Sequence, residues 1–197
     1  MPILRCGDAL LRPATATNDE LLVSLMPDDF DHDPTFAVVP GRSLAAHREA
    51  WLRAWLGGFR QPEPGHSYWP FVVECDGRPV GFQVLEGRDP ITDQPVDSSS
   101  FLDPAARGRR LGVAMRTAIL HFAFVELGAL SATSSARPDN VASQKVTERV
   151  GYRHVGRREP VVAGQPRPLE CYEITRDEWL RMDHLPVACE PSPLRWS

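Results

Sequence analysis

The segment Ala105 to Arg116, AARGRRLGVAMR, gathers the residue types most able to bind something. Arg107, Arg109 and Arg110 stand with Gly108 and Gly112 in a short run where a strand-like pattern gives way to a helical one. A helix start offers unpaired N–H groups and a partial positive charge. Glycines let a ligand approach the backbone, and arginines add charge-assisted bonds to phosphate oxygens. The chemistry on offer is anion binding; a solvated, charged turn is the plainer alternative. No GxxxxGK[ST] occurs and no GxGxxG follows a strand, which disfavours a nucleoside triphosphatase and a dinucleotide-binding fold.

Composition narrows the anion. The net charge is −4, so the arginines are a local feature on an acidic body. A protein that grips long nucleic acid carries a wide basic face, so a compact anionic ligand is favoured and no nucleic-acid partner is expected. The 197 residues suit one domain, and 42% hydrophobic residues are enough for a core. Cys6, Cys75, Cys171 and Cys189 form no CxxC pair, and the histidines form no HxxxH or HExxH. No metal site is expected, and reduced thiols point to a cytoplasmic protein. The N-terminal stretch lacks the apolar core of a signal peptide, and Arg116, His121 and Glu126 interrupt the most apolar segment, so no membrane partner is expected. Lys145 is the only lysine, a bias that says little about function.

The elements that must position this loop follow from periodicity. A short strand is expected over Ala9 to Arg12, then a short helix in TNDELLVSLM capped by Thr17 or Asn18. PDDFDHDPTF is an acidic loop. SLAAHREAWLRAWLGG, from Ser43, is an amphipathic helix ended by Gly57 and Gly58. After a Pro/Gly-rich connection, Phe71 to Glu74 and Pro79 to Leu85 flank Asp76-Gly77 as a tight hairpin. VDSSSFLD is a further strand. The helix after the arginines, from about Gly112 to Leu127, is apolar nearly all round and so is expected to be buried. ALSATSSA is a strand, and DNVASQKVTERVGY a helix capped by Asp139 or Asn140 and stopped by Gly151. A last hairpin is expected around Ala163-Gly164, then a short helix in RDEWLRM. Helices mixed with antiparallel hairpins make the class α+β. The expected domain covers residues 1–182, with a tail over 183–197.

This order of elements resembles the GNAT superfamily of acyl-CoA-dependent N-acyltransferases, over roughly Ala9 to Met182 and most strongly from Val96 to Tyr152. FLDPAARGRRLGVAMRTAIL follows the family's strand, Arg-Gly loop and long helix. NVASQKVTERVGY follows its second signature, an Asn, a small residue three positions on, and a Gly-aromatic end. The arrangement looks like the branch that includes the ribosomal-protein N-terminal acetyltransferases RimJ and RimL. The resemblance implies a mostly antiparallel central sheet flanked by helices, with two splayed strands forming a coenzyme A cleft. It implies that backbone amides of Arg107, Gly108, Arg109, Arg110, Leu111, Gly112, Val113 and Ala114 bind the CoA pyrophosphate, with Arg107, Arg109 or Arg110 near phosphates. Phe101 and Leu102 would pair with the pantetheine arm, and Asn140 would contact it. Two positions depart from the pattern. Arg110 stands where the family commonly has glycine, and Thr147 where it often has a tyrosine acid.

The implied cosubstrate is acetyl-CoA or another acyl-CoA, and the implied reaction is attack of a primary amine on its thioester. A main-chain N–H of Ser99 to Leu102 would polarise the carbonyl. With Thr147 a poor proton donor, Ser143 would deliver a proton to the leaving sulfur; the alternative is a helix hydroxyl bonded to its own backbone. An α-amine with pKa near 7.8 is about one-seventh neutral at pH 7, a cost of ~1 kcal/mol, whereas a lysine side chain costs roughly 4–5. A weak base therefore suffices for an α-amine. Asp97 is the first candidate, Glu86 the second and Glu74 the third; each is also readable as an ordinary strand-end carboxylate. The acidic run Asp28, Asp29, Asp31, Asp33 lacks the glycine and final glutamate of a calcium loop and reads as solvated, or as a lip for a cationic amine. Trp51, Trp55 and Trp69 read as core.

The reading is an N-acyltransferase, acetyl-CoA-dependent, acting on a peptide or protein N-terminus or a small molecule, as monomer or homodimer. Alternatives are another acyl donor such as succinyl-CoA, or a non-catalytic CoA-binding regulatory module on the same fold.

Overall fold

A computed structural model describes residues 1–30, 43–89, 91–92, 94–162 and 165–191. The expected Asp31 and Asp33 and the Ala163-Gly164 turn lie outside them. In chain order the elements are β1 (Ile3–Cys6), β2 (Ala9–Pro13), α1 (Asp19–Leu25), α2 (Leu44–Gly58), β3 (His66–Cys75), β4 (Arg78–Arg88), β5 (Asp97–Leu102) and α3 (Leu111–His121). They continue with β6 (Ser131–Ala136), α4 (Val141–Arg149), β7 (Arg153–Arg158), β8 (Val161–Val162), β9 (Gln165–Pro166), β10 (Leu169–Thr175), α5 (Arg176–Leu180) and β11 (Val187–Glu190).

Six strands form one antiparallel sheet in the order β11-β1-β2-β3-β4-β5, and three form a second in the order β6-β10-β7. The long hairpin β3–β4 organises the first. Asp76 and Gly77 both hold positive φ, 52° and 71°, the geometry that matches strand twist in a two-residue turn. Alternation then sends Val72, Phe82, Val84 and Phe101 to one face, where α2 covers them with Trp51, Leu52 and Leu56 and α1 with Leu22. Phe71, Val73 and Leu85 go to the other face, where α3 packs Met115, Ile119 and Leu120 against them. Each such fully buried side chain contributes about 1.5–3 kcal/mol of transfer free energy. Trp51 lies in the first cluster with Trp55 packed beside it; Trp69 packs against the second.

Three differences from the sequence reading have physical causes. The hairpin runs farther than expected, because His66 to Pro70 continue β3 despite Pro70. Strands β1 and β11 were not foreseen; each is four residues long, too short to show a period, and they pair with each other, Leu4 with Cys189. Residues beyond 182 therefore supply an edge strand of the large sheet. Finally α3 ends at His121 and continues as a π turn over Phe122–Glu126, with Leu127 N–H donating to the Phe122 carbonyl at 3.0 Å.

The two sheets meet at a single point. Val96 N–H donates to the Ser131 carbonyl at 3.1 Å, and Thr133 N–H to the Val96 carbonyl at 2.8 Å. This parallel bridge is the only main-chain pairing between the β5 and β6 segments among the described residues. Beyond it β5 stays with β4 and β6 stays with β10, so the strands part into a wedge-shaped gap.

Candidate active site at the parting strands

Period-two geometry decides what β5 shows to the gap. Val96 directs its main-chain groups toward β6, so Ser98, Ser100 and Leu102 do the same, while Asp97, Ser99 and Phe101 turn theirs toward β4. Phe101 therefore presents neither main chain nor ring to the gap; its ring is 5% exposed and lies 5.8 Å from that of Phe82. The Leu102 carbonyl is occupied by Arg107, at 3.3 Å.

The arginine loop follows. Gly108 and Arg110 have φ of 80° and 61°, left-handed conformations of the kind that turn backbone amides outward where a loop cradles an anion. The expected donor run from Arg107 to Ala114 is narrower in the structure. Arg107 N–H donates to Pro104 O, and Val113 and Ala114 N–H both donate to Arg110 O. Among the described residues, the amides of Gly108, Arg109, Arg110, Leu111 and Gly112 have no backbone acceptor. They satisfy the requirement for a diphosphate seat, main-chain donors at a helix start. The positive φ at Arg110 also explains why glycine suits this position.

The arginine side chains divide. Arg107 grips Asp29 with both terminal nitrogens, and Arg109 pairs with Asp76 at 2.7 Å. Arg110, exposed, has no ion pair among the described residues. Alongside, α4 begins at Asn140, whose Oδ1 caps the helix by accepting Ser143 N–H at 3.1 Å. Ser143 sits half-buried in the first turn of α4. A Cβ built on Gly112 would stand 3.1 Å from Val146 Cγ2, so the absence of a side chain is what lets α3 and α4 approach. Thr147 is wholly buried and its hydroxyl has no partner among the described residues.

At the other end of the gap, the register puts Tyr68, Glu86 and Asp97 in one row across three strands. With His66, Arg88 and Gln94 they line a hollow of about 270 Å³. Burial pushes the Glu86 carboxyl up to about 7, and the neighbouring Asp97 charge adds to the rise. Burial pushes Asp97 up to about 6, opposed by the Ser98 amide and by the charges of Arg116 and Arg158. Two carboxylates thus sit together with their proton affinities moved toward neutrality, the pattern of groups poised for proton transfer. Glu74 is elsewhere. It lies six residues along β3 from Tyr68, about 20 Å away, and bonds Arg12 at 3.0 Å.

Sequence reasoning missed two parts of this site. Tyr68 and His66 belong to it because β3 extends past Pro70; continuing the alternation back from Val72 would have found Tyr68. Arg116, 5% exposed, donates Nη1 to Ser134 Oγ at 3.0 Å beneath the parting strands, beside the buried Tyr152, whose hydroxyl burial pushes up to about 12. An arginine inside an apolar helix face was the available signal.

Comparison with known proteins agrees with this geometry. Residues 9–153 match the family model for an acetyltransferase (GNAT) domain. The FsC-acetyl coenzyme A-N(2)-transacetylase of Aspergillus fumigatus is 27% identical over 165 residues, covering 78% of this chain and 69% of that protein. A GCN5-related N-acetyltransferase from Brucella melitensis superposes with TM-score 0.67 at 20% identity, covering 90% of this chain and 80% of that one. Mycobacterium smegmatis RimJ, solved in complex with CoA-disulfide, superposes with TM-score 0.64 at 19% identity, covering 90% and 87%. At those identities the two solved structures share the fold. A matched domain spanning most of the sequence, on parting strands that run into an outward-facing amide loop, makes this chain a member of the GNAT acetyltransferases, enzymes that take their acetyl group from acetyl-CoA.

Proposed function

We propose that the enzyme moves an acetyl group from acetyl-CoA to the primary amine of a peptide or protein N-terminus or of a small molecule, by direct attack of the amine. The observation that carries this reading is the run of main-chain groups without a backbone partner among the described residues, from Ser100 on the free edge of β5 to the amides of Gly108 to Gly112. An acyl-CoA supplies a thioester carbonyl when bound. The amides of Gly108 to Gly112 hold the diphosphate, Ser100 and Leu102 face the pantetheine arm, and the carboxamide nitrogen of Asn140, free while Oδ1 caps α4, is available to the same arm. Arg110 is the arginine left open to a phosphate.

In the reaction the amine nitrogen forms the C–N bond as the C–S bond breaks. The amine's proton goes to the Glu86–Asp97 pair. Glu86 is the better base, since a carboxyl near 7 matches an operating pH near neutrality. Ser100 N–H, aimed into the gap, stabilises negative charge on the carbonyl oxygen. Ser143, in the first turn of α4, protonates the departing sulfur directly or through water. The hollow under Tyr68 and Glu86 receives the amine. A nitrogen acceptor agrees with the name of the Aspergillus fumigatus relative, which records transfer from acetyl coenzyme A to an N(2) position. The resemblance to the RimJ/RimL branch favours an α-amine, which needs only a weak base. Four free cysteines fit a reducing compartment.

The test is thiol release from acetyl-, succinyl- and longer acyl-CoAs against peptides, polyamines and aminoglycosides. Amine-dependent release with acetyl-CoA supports the reading. CoA binding without turnover on any amine would make the protein a regulatory module instead.

A further inference from the structure

The proposed reaction leaves Arg116 without a task. It stands on α3 and is only 5% exposed. Its Nη1 donates to Ser134 Oγ at 3.0 Å, its Nε has no partner, and it forms no ion pair among the described residues. A buried guanidinium held by a neutral hydroxyl alone is costly, and a nearby anion is what offsets the cost. The joint between the sheets supplies one. Val96 bridges in parallel to Ala132, so the register carried onward sets Asp97 beside Thr133 and Ser98 beside Ser134, the residue that Arg116 holds. Asp97 is thus one residue and one strand spacing, about 4.8 Å, from the partner of Arg116. Its carboxylate accepts only Ser98 N–H among the described residues, at 2.7 Å. The buried Ser98 Oγ and Tyr152 hydroxyl have no partner among them either, so neutral groups at the joint leave the charge uncompensated.

We propose that Arg116 is a positioning residue that holds Asp97 in its charged form, so that the proton given up by the amine goes to Glu86, a role that rests on the reading of Glu86 and Asp97 as the accepting pair. Several groups face Asp97. Glu86 opposes its charge from β4, with Tyr68 beyond it on β3 and His66 and Arg88 one row further out. Tyr152 lies buried after α4, and the charges of Arg116 and of Arg158 on β7 both favour an ionised Asp97. Arg158 is exposed and screened, whereas Arg116 is buried and is not. Two carboxylates side by side share their protons, and without a bias either can carry one. A fixed cation beneath one of them breaks the tie. The proton then passes from the amine nitrogen to a Glu86 oxygen as the C–N bond forms, and Asp97 keeps the negative charge that raises the proton affinity of Glu86.

Carboxyl-carbon NMR of the full chain, labelled at aspartate, follows Asp97 directly, its signal assigned by its loss in Asp97→Asn. In a Glu86→Gln background Asp97 titrates without its partner. There Arg116→Gln should raise its midpoint by about one pH unit, and Arg116→Lys should leave it in place. Gln keeps a donor for Ser134, so loss of that hydrogen bond alone does not give this result. Arg116→Met is the second neutral variant, read in the same way where Arg116→Gln does not fold, since an apolar side chain of similar volume is tolerated at a buried charge. With Glu86 present, Arg116→Gln should broaden the rise of kcat/KM with pH, as the proton spreads over both carboxylates, and Arg116→Lys should not. A midpoint unmoved in the neutral variants, one that moves as far in Arg116→Lys, or a kcat/KM rise as sharp as the native one overturns the role of Arg116 and leaves the accepting pair standing. A kcat/KM profile indifferent to Glu86→Gln overturns the pair, and with it any part for Arg116 in the reaction.

Discussion

Arg107 donates from both terminal nitrogens to both carboxylate oxygens of Asp29, at 2.6 and 2.7 Å, across 78 residues of sequence. The same guanidinium also reaches the Leu102 carbonyl, and the neighbouring Phe30 ring rests 5.4 Å from Phe101. The turn after α1 is thereby strapped to the end of β5, and Arg107 is occupied as a strut where a phosphate ligand was expected. Both side chains remain accessible, 41% and 65%, so solvent screens the pair. Asp29→Asn and Arg107→Gln should each lower stability by about 0.5–1 kcal/mol, and the double variant by no more than either alone. Urea denaturation of the cycle measures this; additive losses would mean the strap contributes nothing.

Arg110 occupies a left-handed conformation, φ 61° and ψ 8°, at the N-cap of α3, with its side chain exposed and without an ion pair among the described residues. A side chain there is strained by roughly 1 kcal/mol, and glycine is not. Arg110→Gly should be at least as stable as the native protein, and Arg110→Val less stable by about 1–2 kcal/mol. Thermal denaturation decides. CoA affinity should move the opposite way in the glycine variant, falling because the open guanidinium is lost; a glycine variant that binds CoA as tightly as the native protein removes Arg110 from the phosphates.

Glu86 has a carboxyl raised to about 7, largely by burial. A raised carboxyl binds more protons folded than unfolded between about pH 4.5 and 7, so its contribution to stability is present below the unfolded pKa and is lost as pH rises through the folded one. Glu86→Gln should therefore raise stability at pH 8, on the order of 1 kcal/mol after screening, and leave it unchanged at pH 4. Activity should follow the reverse course. The kcat/KM of the native enzyme should climb through an apparent value near 7, belonging to the Glu86–Asp97 pair as a unit. In Glu86→Gln the limb should move toward the lower value of Asp97 as kcat drops. An unmoved pH profile would exclude Glu86 as the base.

Gly112 is held to glycine by packing alone. Its Cβ would meet Val146 Cγ2 at 3.1 Å, a contact that a small shift of α4 can relieve. Gly112→Ala should weaken CoA binding only a few-fold, because the amides stay in place. Gly112→Trp should abolish it, since the indole must either displace α4 or cover the donors. Calorimetric titration with CoA measures both, and native affinity in the tryptophan variant would remove the loop from the binding site.

Where the sequence was legible, local chemistry and burial agreed. The Asp76-Gly77 turn, the buried helix after the arginines and the Asn140 cap all carry signals within a few residues, and the structure has each of them. The donor loop was legible in kind but not in extent, because which amides are free depends on the Arg110 carbonyl taking two of them. Asp29's grip on Arg107 and the Tyr68–Glu86–Asp97 row are products of register and long-range approach, which no local pattern encodes. Strands β1 and β11 stabilise each other only once the sheet exists, so neither announces itself.

The leaving-group proton is where sequence and structure bear on one another most closely. Thr147, at the position where the family often has a tyrosine acid, is wholly buried and its hydroxyl has no hydrogen-bond partner among the described residues. An orphaned hydroxyl inside a core costs about 1–3 kcal/mol, and a proton donor must reach the gap, which this one does not. Thr147→Val, nearly the same shape, should raise stability by about 1 kcal/mol and leave kcat within twofold. Ser143, one turn earlier on α4 and half-buried, is the proposed donor instead. Ser143→Ala should lower kcat by roughly tenfold or more at unchanged CoA affinity. If Thr147→Val slowed turnover and Ser143→Ala did not, the proton would come from inside α4, and the site would have to open to deliver it.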